Sequence, residues 1–207
     1  PLVLSGALVA GGSVNAFWAG EEFVVYQADA VVDGRDELYS VPLDGSAPPL
    51  ALTPGLDVYR FYALARDGAR ALFSTYPHSE ERLYVVPTDA SVPPLDLAGS
   101  GIPTGFAATF FWQVELTGDG QRVVFLRAED DDSYVQCELW SARLDGTSLV
   151  QLNPGPRIAL TEFRLAPDGA RVVYIDGDPI AFAYSELVSA RTDGSSWRIL
   201  TPGVERP

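Results

Sequence analysis

The stretch LAPDGARVVY, residues 165–174, decides the fold of this chain of 207 residues, because similar stretches occur elsewhere in it. The other copies are LTGDGQRVVF at 116–125, LARDGARALF at 64–73 and a more divergent FWAGEEFVVY at 17–26. The four copies begin 47, 52 and 49 residues apart. A recurrence with this period is typical of an architecture built from repeated supersecondary units.

A second motif follows each copy in the same order. An Asp-Gly pair between apolar runs favours a tight hairpin turn, since Asp bonds its own turn and Gly accepts a positive φ. Short apolar segments without helical periodicity predict strands, so each repeat predicts a four-stranded antiparallel unit. The second motif reads ELYSVPLDGSAPPLALTPG at 37–55, RLYVVPTDASVPPLDLAG at 82–99, ELWSARLDGTSLVQLNPG at 138–155 and ELVSARTDGSSWRILTPG at 186–203.

Units of this kind are the blades of a β-propeller, so we predict an all-β fold, with one propeller domain or propeller fragment over residues 1–207. Residues 1–6, PLVLSG, match PLDLAG at 94–99 and predict the outer strand of a preceding or neighbouring blade, which makes one strand surplus. Three arrangements stay open: a piece of a longer propeller, four blades with an extra edge strand, or a homodimer that completes one ring. The predicted blades span residues 14–55, 56–99, 100–155 and 156–203.

The repeat resembles the TolB-like β-propeller repeat, whose mark is a Pro-Asp-Gly turn before an apolar strand and a later strand before a second Asp-Gly. The resemblance covers about residues 17–203, and APDGARVVY and LDGTSLVQLNPG carry it best. The first repeat departs from it at Ala19-Gly20-Glu21 and the second at Asp89-Ala90. The resemblance implies the fold more than the function, because the family includes scaffolds, periplasmic proteins and the propellers of peptidases.

Composition excludes several classes of function. A net charge of −14 without a basic stripe disfavours nucleic acid and anionic membranes. The absence of Lys removes Schiff-base and P-loop lysine chemistry. A single Cys, Cys137, and a single His, His78, leave no intrachain disulfide and no thiolate or multi-His zinc site. Because Gly-x-Ser-x-Gly and calcium-loop spacings are also missing, we predict a protein that is not an enzyme and has no cofactor or metal.

The strand order predicts where binding residues gather. Loops between second and third strands share a face with the connections between blades, opposite the tight Asp-Gly turns, and such long loops commonly carry function. Here they are acidic and include aromatic residues, which suits a basic protein or peptide segment; the alternative is a solvated acidic rim. The candidate binding residues are Asp33, Asp36, Tyr59, Tyr62, Phe111, Trp112, Asp130, Asp131, Asp132, Asp176 and Asp178.

The repeat, the charge and the loop composition support two functions. The first is a non-catalytic propeller scaffold that binds a protein or peptide on its acidic loop face. The second is the substrate-gating propeller of a larger prolyl-oligopeptidase-like hydrolase, whose catalytic domain lies outside these residues. An opportunistic cation site among the carboxylates stays open as a third. The lack of disulfides fits the cytosol, whereas the resemblance implies a periplasmic or extracellular bacterial setting.

If the acidic loops steer a basic partner, changing Asp130, Asp131 and Asp132 together to Asn should slow association by roughly tenfold at low salt and flatten its salt dependence. Stopped-flow association at several ionic strengths measures this. An unchanged association rate contradicts steering by these loops.

Overall fold

The computed structural model describes residues 3–76, 81–97, 110–128, 137–153, 162–177 and 185–201. Within these ranges the chain contains sixteen strands and no helix, so no helix there is long and apolar enough to cross a membrane. The strands form four four-stranded antiparallel sheets, each with its strands in chain order. The prediction of an all-β chain built from four such sheets is confirmed.

Each sheet corresponds to one sequence repeat, and the sheets are called blades 1 to 4 below. Blade 1 contains β1 (Val14–Ala19), β2 (Phe23–Ala28), β3 (Glu37–Pro42) and β4 (Leu50–Ala51). Blade 2 contains β5 (Val58–Leu64), β6 (Arg70–Thr75), β7 (Arg82–Pro87) and β8 (Leu95–Asp96). Blade 3 contains β9 (Phe110–Leu116), β10 (Arg122–Ala128), β11 (Cys137–Arg143) and β12 (Leu149–Gln151). Blade 4 contains β13 (Phe163–Leu165), β14 (Arg171–Gly177), β15 (Ser185–Arg191) and β16 (Trp197–Thr201).

The tight turns between first and second strands have the chemistry that their sequence predicts. In blades 2 to 4 the turn Asp carboxylate accepts a hydrogen bond of 3.0 Å from the amide two residues later. The Gly after each Asp has a φ between +65° and +70°, where Gly has no steric penalty. The three pairs are Asp67-Gly68, Asp119-Gly120 and Asp168-Gly169.

The later turn of blade 2 keeps this geometry although its sequence has lost the Gly. Ala90 has a φ of +51°, in the left-handed region that Gly occupies in the other blades. The Asp89 carboxylate still accepts from the Ser91 amide at 2.9 Å. A Cβ in this region costs roughly 1–2 kcal/mol, so the surrounding ladder holds Ala90 in a strained conformation.

The Thr-Pro-Gly and Asn-Pro-Gly motifs attach the outer strand of a blade to its third strand. The Leu38 amide donates to Thr53 Oγ1 at 2.8 Å, and the Leu139 amide donates to Asn153 Oδ1 at 2.8 Å. In blade 4 the Leu187 amide donates to Thr201 Oγ1 at 3.1 Å. The repeated Thr or Asn therefore supplies an acceptor where the short outer strand ends.

The chain divides into two compact units. Unit 1 is Pro1–His78 and Arg82–Gly99, and unit 2 is Ser79–Glu81 and Ser100–Pro207. In unit 1, aliphatic side chains of blade 1, such as Leu38 and Leu52, pack against Phe61 and Phe73 of blade 2. In unit 2, Leu126, Leu139 and Leu152 of blade 3 pack against Phe163 and Tyr174 of blade 4. Each unit thus buries an aliphatic face of one sheet against an aromatic face of the next.

The extra N-terminal segment expected from residues 1–6 is present in addition to the four sheets, and the structure describes it from residue 3. Leu4 and Leu8 pack on the face of blade 1 that carries Tyr26 and Tyr39. The Tyr26 hydroxyl donates to the Ser5 carbonyl at 2.9 Å. The segment therefore covers an aromatic sheet face of unit 1.

Replacing Thr53 with Val should lower the free energy of unfolding by about 1–3 kcal/mol, because the fully buried Thr53 supplies the acceptor for the Leu38 amide. Thr53→Ser keeps the hydroxyl and is the matched control. Urea denaturation measures both variants. Equal stability of the Val and Ser variants contradicts this role of the hydroxyl.

Candidate functional site

A pocket of about 530 Å³ lies in unit 1, where the loop between β2 and β3 meets the start of β5 and the end of β6. This is the end of the blades at which the sequence predicts the binding loops. Two carboxylates and three phenol rings contribute to its wall. The lining residues are Asp36, Leu56, Asp57, Val58, Tyr59, Thr75, Tyr76 and Tyr84.

Asp36, a predicted binding residue, is held in place from several sides. Its carboxylate accepts hydrogen bonds from Asn15 Nδ2 at 2.8 Å and Gln27 Nε2 at 2.7 Å. Its carbonyl accepts from the Val58 amide at 2.7 Å, and its own amide donates to Asp57 Oδ1 at 3.3 Å. The half-buried carboxylate therefore has a fixed orientation at the junction of β3 with β5.

Asp57 is the more available carboxylate of the pocket. It is exposed, and among the residues that the structure describes its carboxylate accepts one hydrogen bond, the one from the Asp36 amide. A carboxylate has about four acceptor positions. Asp57 can therefore accept further donors from a molecule in the pocket.

Tyr59 and Tyr76 form an aromatic pair at the pocket wall. Their ring centroids lie 5.2 Å apart at an interplanar angle of 32°. Tyr59 is 44% exposed and Tyr76 37% exposed, which is high for rings of this size. The Arg60 guanidinium lies over the Tyr59 ring, 4.9 Å from its centroid. The ring faces of this wall thus already accept one cation of the chain itself.

The acidic loop between β2 and β3 is organised by Asp29, which is buried. Its carboxylate accepts from the amide of Ser13 and, at 3.1 Å, from the amide of Gly34. These backbone hydrogen bonds, from Ser13 first and then Gly34, lower the pKa of Asp29 below its usual value. Asp33, another predicted binding residue, is exposed on this loop and does not line the pocket.

Two predicted aromatic residues of unit 2 differ in exposure. Phe111 is 1% exposed and packs edge-on against Phe125, with ring centroids 5.3 Å apart. Trp112, the next residue along β9, is 42% exposed. The β9–β10 register shifts here, since Leu126 pairs with Gln113 and Arg127 with Phe111, so Trp112 is the extra residue of a β-bulge. Phe111 therefore belongs to the core, and Trp112 is the accessible ring.

Acidic residues at the same strand ends of unit 2 are buried. Asp176 is 6% exposed at the end of β14, directly opposite Glu186. Glu138 is buried and accepts from Arg127 at 3.2 Å and from Trp140 Nε1 at 2.9 Å. These carboxylates therefore contribute little accessible negative charge.

The remaining predicted residues either lie away from the pocket or fall outside the described residues. Tyr62 is half-buried on β5 and does not line the pocket. Asp130, Asp131, Asp132 and Asp178 lie outside the described residues. Within the described ranges, no three Asp, Glu, His or Cys side chains converge as a set of metal ligands.

Six pocket residues were not among the predicted binding residues, namely the apolar Leu56 and Val58 and the polar Asp57, Thr75, Tyr76 and Tyr84. Asp57 immediately precedes β5 and Tyr76 immediately follows β6, so position next to a strand end was the available signal. Thr75 and Tyr84 gave no such signal, because they belong to strands β6 and β7.

No family model matches the chain, and no curated protein matches it. Solved structures do match. The TolB protein of Agrobacterium tumefaciens has a TM-score of 0.52 at 19% identity, over 89% of this chain and 63% of that one. A puromycin-hydrolyzing peptidase of Mycobacterium tuberculosis has a TM-score of 0.56 at 15% identity, over 98% of this chain and 34% of that one.

An oligogalacturonate lyase in complex with manganese has a TM-score of 0.59 at 12% identity, over 94% of this chain and 55% of that one. This chain thus spans less than two thirds of each of the three proteins. Identities this low show a common fold alone. Together the comparisons support a TolB-like β-propeller fold.

Replacing Asp29 with Asn should lower the melting temperature at pH 7, because the carboxylate that accepts the Ser13 and Gly34 amides loses its charge. Since the folded-state pKa is lowered, this stabilisation is complete above the usual Asp pKa of about 4 and is lost as the pH falls through the lowered pKa. Thermal melts between pH 7 and pH 2 should show the two proteins converging at low pH. Asp33→Asn, the same change on the same loop, is the control, and a pH-independent difference for Asp29→Asn contradicts the expectation.

Proposed function

We propose that this protein is a non-catalytic β-propeller scaffold that binds a basic segment of a protein or peptide, with a cationic side chain in the pocket of unit 1. The observation that supports this is the convergence of Asp36 and Asp57 with three tyrosines around one space of about 530 Å³. Pockets that orient a ligand commonly combine ring surfaces with a few placed polar groups.

The pocket fits a guanidinium or ammonium group by three interactions. The Asp57 carboxylate offers charge-assisted hydrogen bonds, which are stronger than neutral ones. Tyr59 and Tyr76 offer ring faces and edges near the same space, and a cation over such a face gains about 0.5–2 kcal/mol. Asp36 adds negative charge with little loss of conformational entropy on binding, because Asn15 and Gln27 already hold it.

The overall charge of −14 acts at longer range. Charge that is distributed over a surface mainly raises the rate of encounter and selects the sign of the partner. The pocket then selects the residue type, and the acidic loop residues outside it contribute to association. An Arg-rich or Lys-rich segment is therefore the expected partner.

A second candidate is the propeller part of a larger hydrolase. In its favour, the fold recurs in a puromycin-hydrolyzing peptidase of which this chain covers 34%. In that case the pocket would select or admit basic substrates, and the chemistry would occur in another domain. Sequencing the coding region on both sides of residues 1–207 tests this, because a catalytic domain of that type requires a Gly-x-Ser-x-Gly nucleophile turn.

Replacing Asp57 with Asn should weaken binding of a basic peptide by about threefold to tenfold, since one charged acceptor of the pocket is lost. Fluorescence anisotropy with a labelled hexapeptide of alternating Gly and Arg measures the dissociation constant. The hexapeptide of alternating Gly and Glu should not bind.

Asp89→Asn is the matched control for this measurement. It removes the same charge from an exposed Asp of unit 1 that lies in the turn before Ser91 and does not line the pocket. Equal weakening by both variants would assign the effect to net charge and contradict binding in the pocket. Tyr76→Ala should also weaken binding, which separates the ring contribution from the charge.

A further inference from the structure

The N-terminal segment of unit 1 reproduces an arrangement found inside unit 2. In unit 2, Leu152 follows the outer strand of blade 3 and belongs to the same buried cluster as Tyr174 of blade 4. The Tyr174 hydroxyl donates to the Leu152 carbonyl at 3.3 Å. Tyr174 is thus covered by the outer edge of the blade before it.

In unit 1 the same relation exists between blade 1 and the N-terminal segment. Tyr26 has the position in β2 that Tyr174 has in β14, since FVVY and RVVY align. Leu4 packs on the cluster that contains Tyr26, and the Tyr26 hydroxyl donates to the Ser5 carbonyl at 2.9 Å. Residues 3–6 therefore lie where the outer strand of a preceding blade would lie.

The sequence places Leu4 in register with the ends of the outer strands. PLVLSG aligns with PLDLAG at 94–99 and with PLALTP at 49–54, and its Leu4 falls at the position of Leu52, Leu97 and Leu152 at the ends of the outer strands. The amides of these three residues donate to the carbonyls of Leu38, Leu83 and Leu139, at 2.8, 2.9 and 2.7 Å. Each acceptor is the second residue of its motif, as in Glu-Leu-Tyr-Ser.

The backbone amides of the N-terminal segment do not form the corresponding hydrogen bonds. Among the residues that the structure describes, the amides of Val3, Leu4 and Ser5 donate to no backbone carbonyl. A row of unpaired backbone donors next to a covered apolar face is an edge to which another strand can add.

We propose that residues 3–6 are the outer strand of a further blade, and that they bind by strand addition to a third strand of the Glu-Leu-x-Ser type on polypeptide outside residues 1–207. A second copy of this chain does not fit this role. Its own third strands, such as β3, β11 and β15, are each paired on both sides within their sheets. The acceptor for the Leu4 amide is the Leu carbonyl of the added strand.

The test uses the synthetic peptide SELVSAR, which copies β15. It is titrated into the isotope-labelled chain of residues 1–207 and followed by NMR. The Leu4 amide should shift, and its hydrogen exchange should slow as the peptide saturates it. A peptide with the same composition in scrambled order should have no effect.

Three variants assign the effect to one hydrogen bond. Leu4→Pro removes the donor and should weaken peptide binding by about tenfold or more. Val3→Pro is the matched control, because alternate amides of a strand point away from its partner. Leu4→Ala keeps the donor but loses the side-chain contact with the Tyr26 cluster, so binding by this variant separates pairing from packing.

Two results overturn the proposal. One is peptide binding that Leu4→Pro leaves unchanged. The other is a solution mass of twice the 22.3 kDa of the chain by light scattering, with Leu4 protected in the dimer, which would place a second copy on this edge. Neither result bears on the pocket of unit 1, whose variants are assayed with a different peptide.

Discussion

The structure depends on one packing constraint: a four-stranded sheet with apolar side chains on both faces needs a layer on each side. Phe73 and Tyr174, in the second strands of blades 2 and 4, are essentially fully buried. Each achieves this by packing on the aliphatic face of the blade before it in its own unit. A single such sheet buries too little surface to offset its conformational entropy, so repetition is part of the stability of the fold.

This constraint also positions the pocket. Stacking of blade 2 on blade 1 brings the start of β5 beside the start of β3, where the Val58 amide bonds to the Asp36 carbonyl. Asp57 and Tyr59 flank Val58, whose side chain is 2% exposed. A core residue thus fixes the two pocket side chains on either side of it. Asp36 and Tyr76 come from other strand ends that the same stacking gathers.

Much of the fold could be predicted from the sequence, because its information is local. An Asp-Gly turn needs only an acceptor two residues before an amide and a Gly at positive φ, and both can be identified from the order of residues alone. The side chains of the candidate site were harder to predict. Phe111 and Trp112 are adjacent in a continuous aromatic run, so the sequence did not show which of them points inward. The contacts of Asp36 with Asn15 and Gln27 join separate strands, and no local pattern indicates such contacts.

The Asp turns have a consequence for chemical durability. Asp-Gly is prone to isomerise through a succinimide, which forms when the Gly nitrogen attacks the Asp side-chain carbonyl. In these turns the carboxylate is already bonded to the amide two residues later, and Ser195, first through its hydroxyl and then through its amide, lowers the pKa of Asp193 to about 2. An ionised carboxylate held in this way is a poor electrophile. The hydrogen bonds that shape these turns should therefore also slow isomerisation of the Asp-Gly pairs. This protection matters because the repeat places an Asp-Gly pair in most of its tight turns.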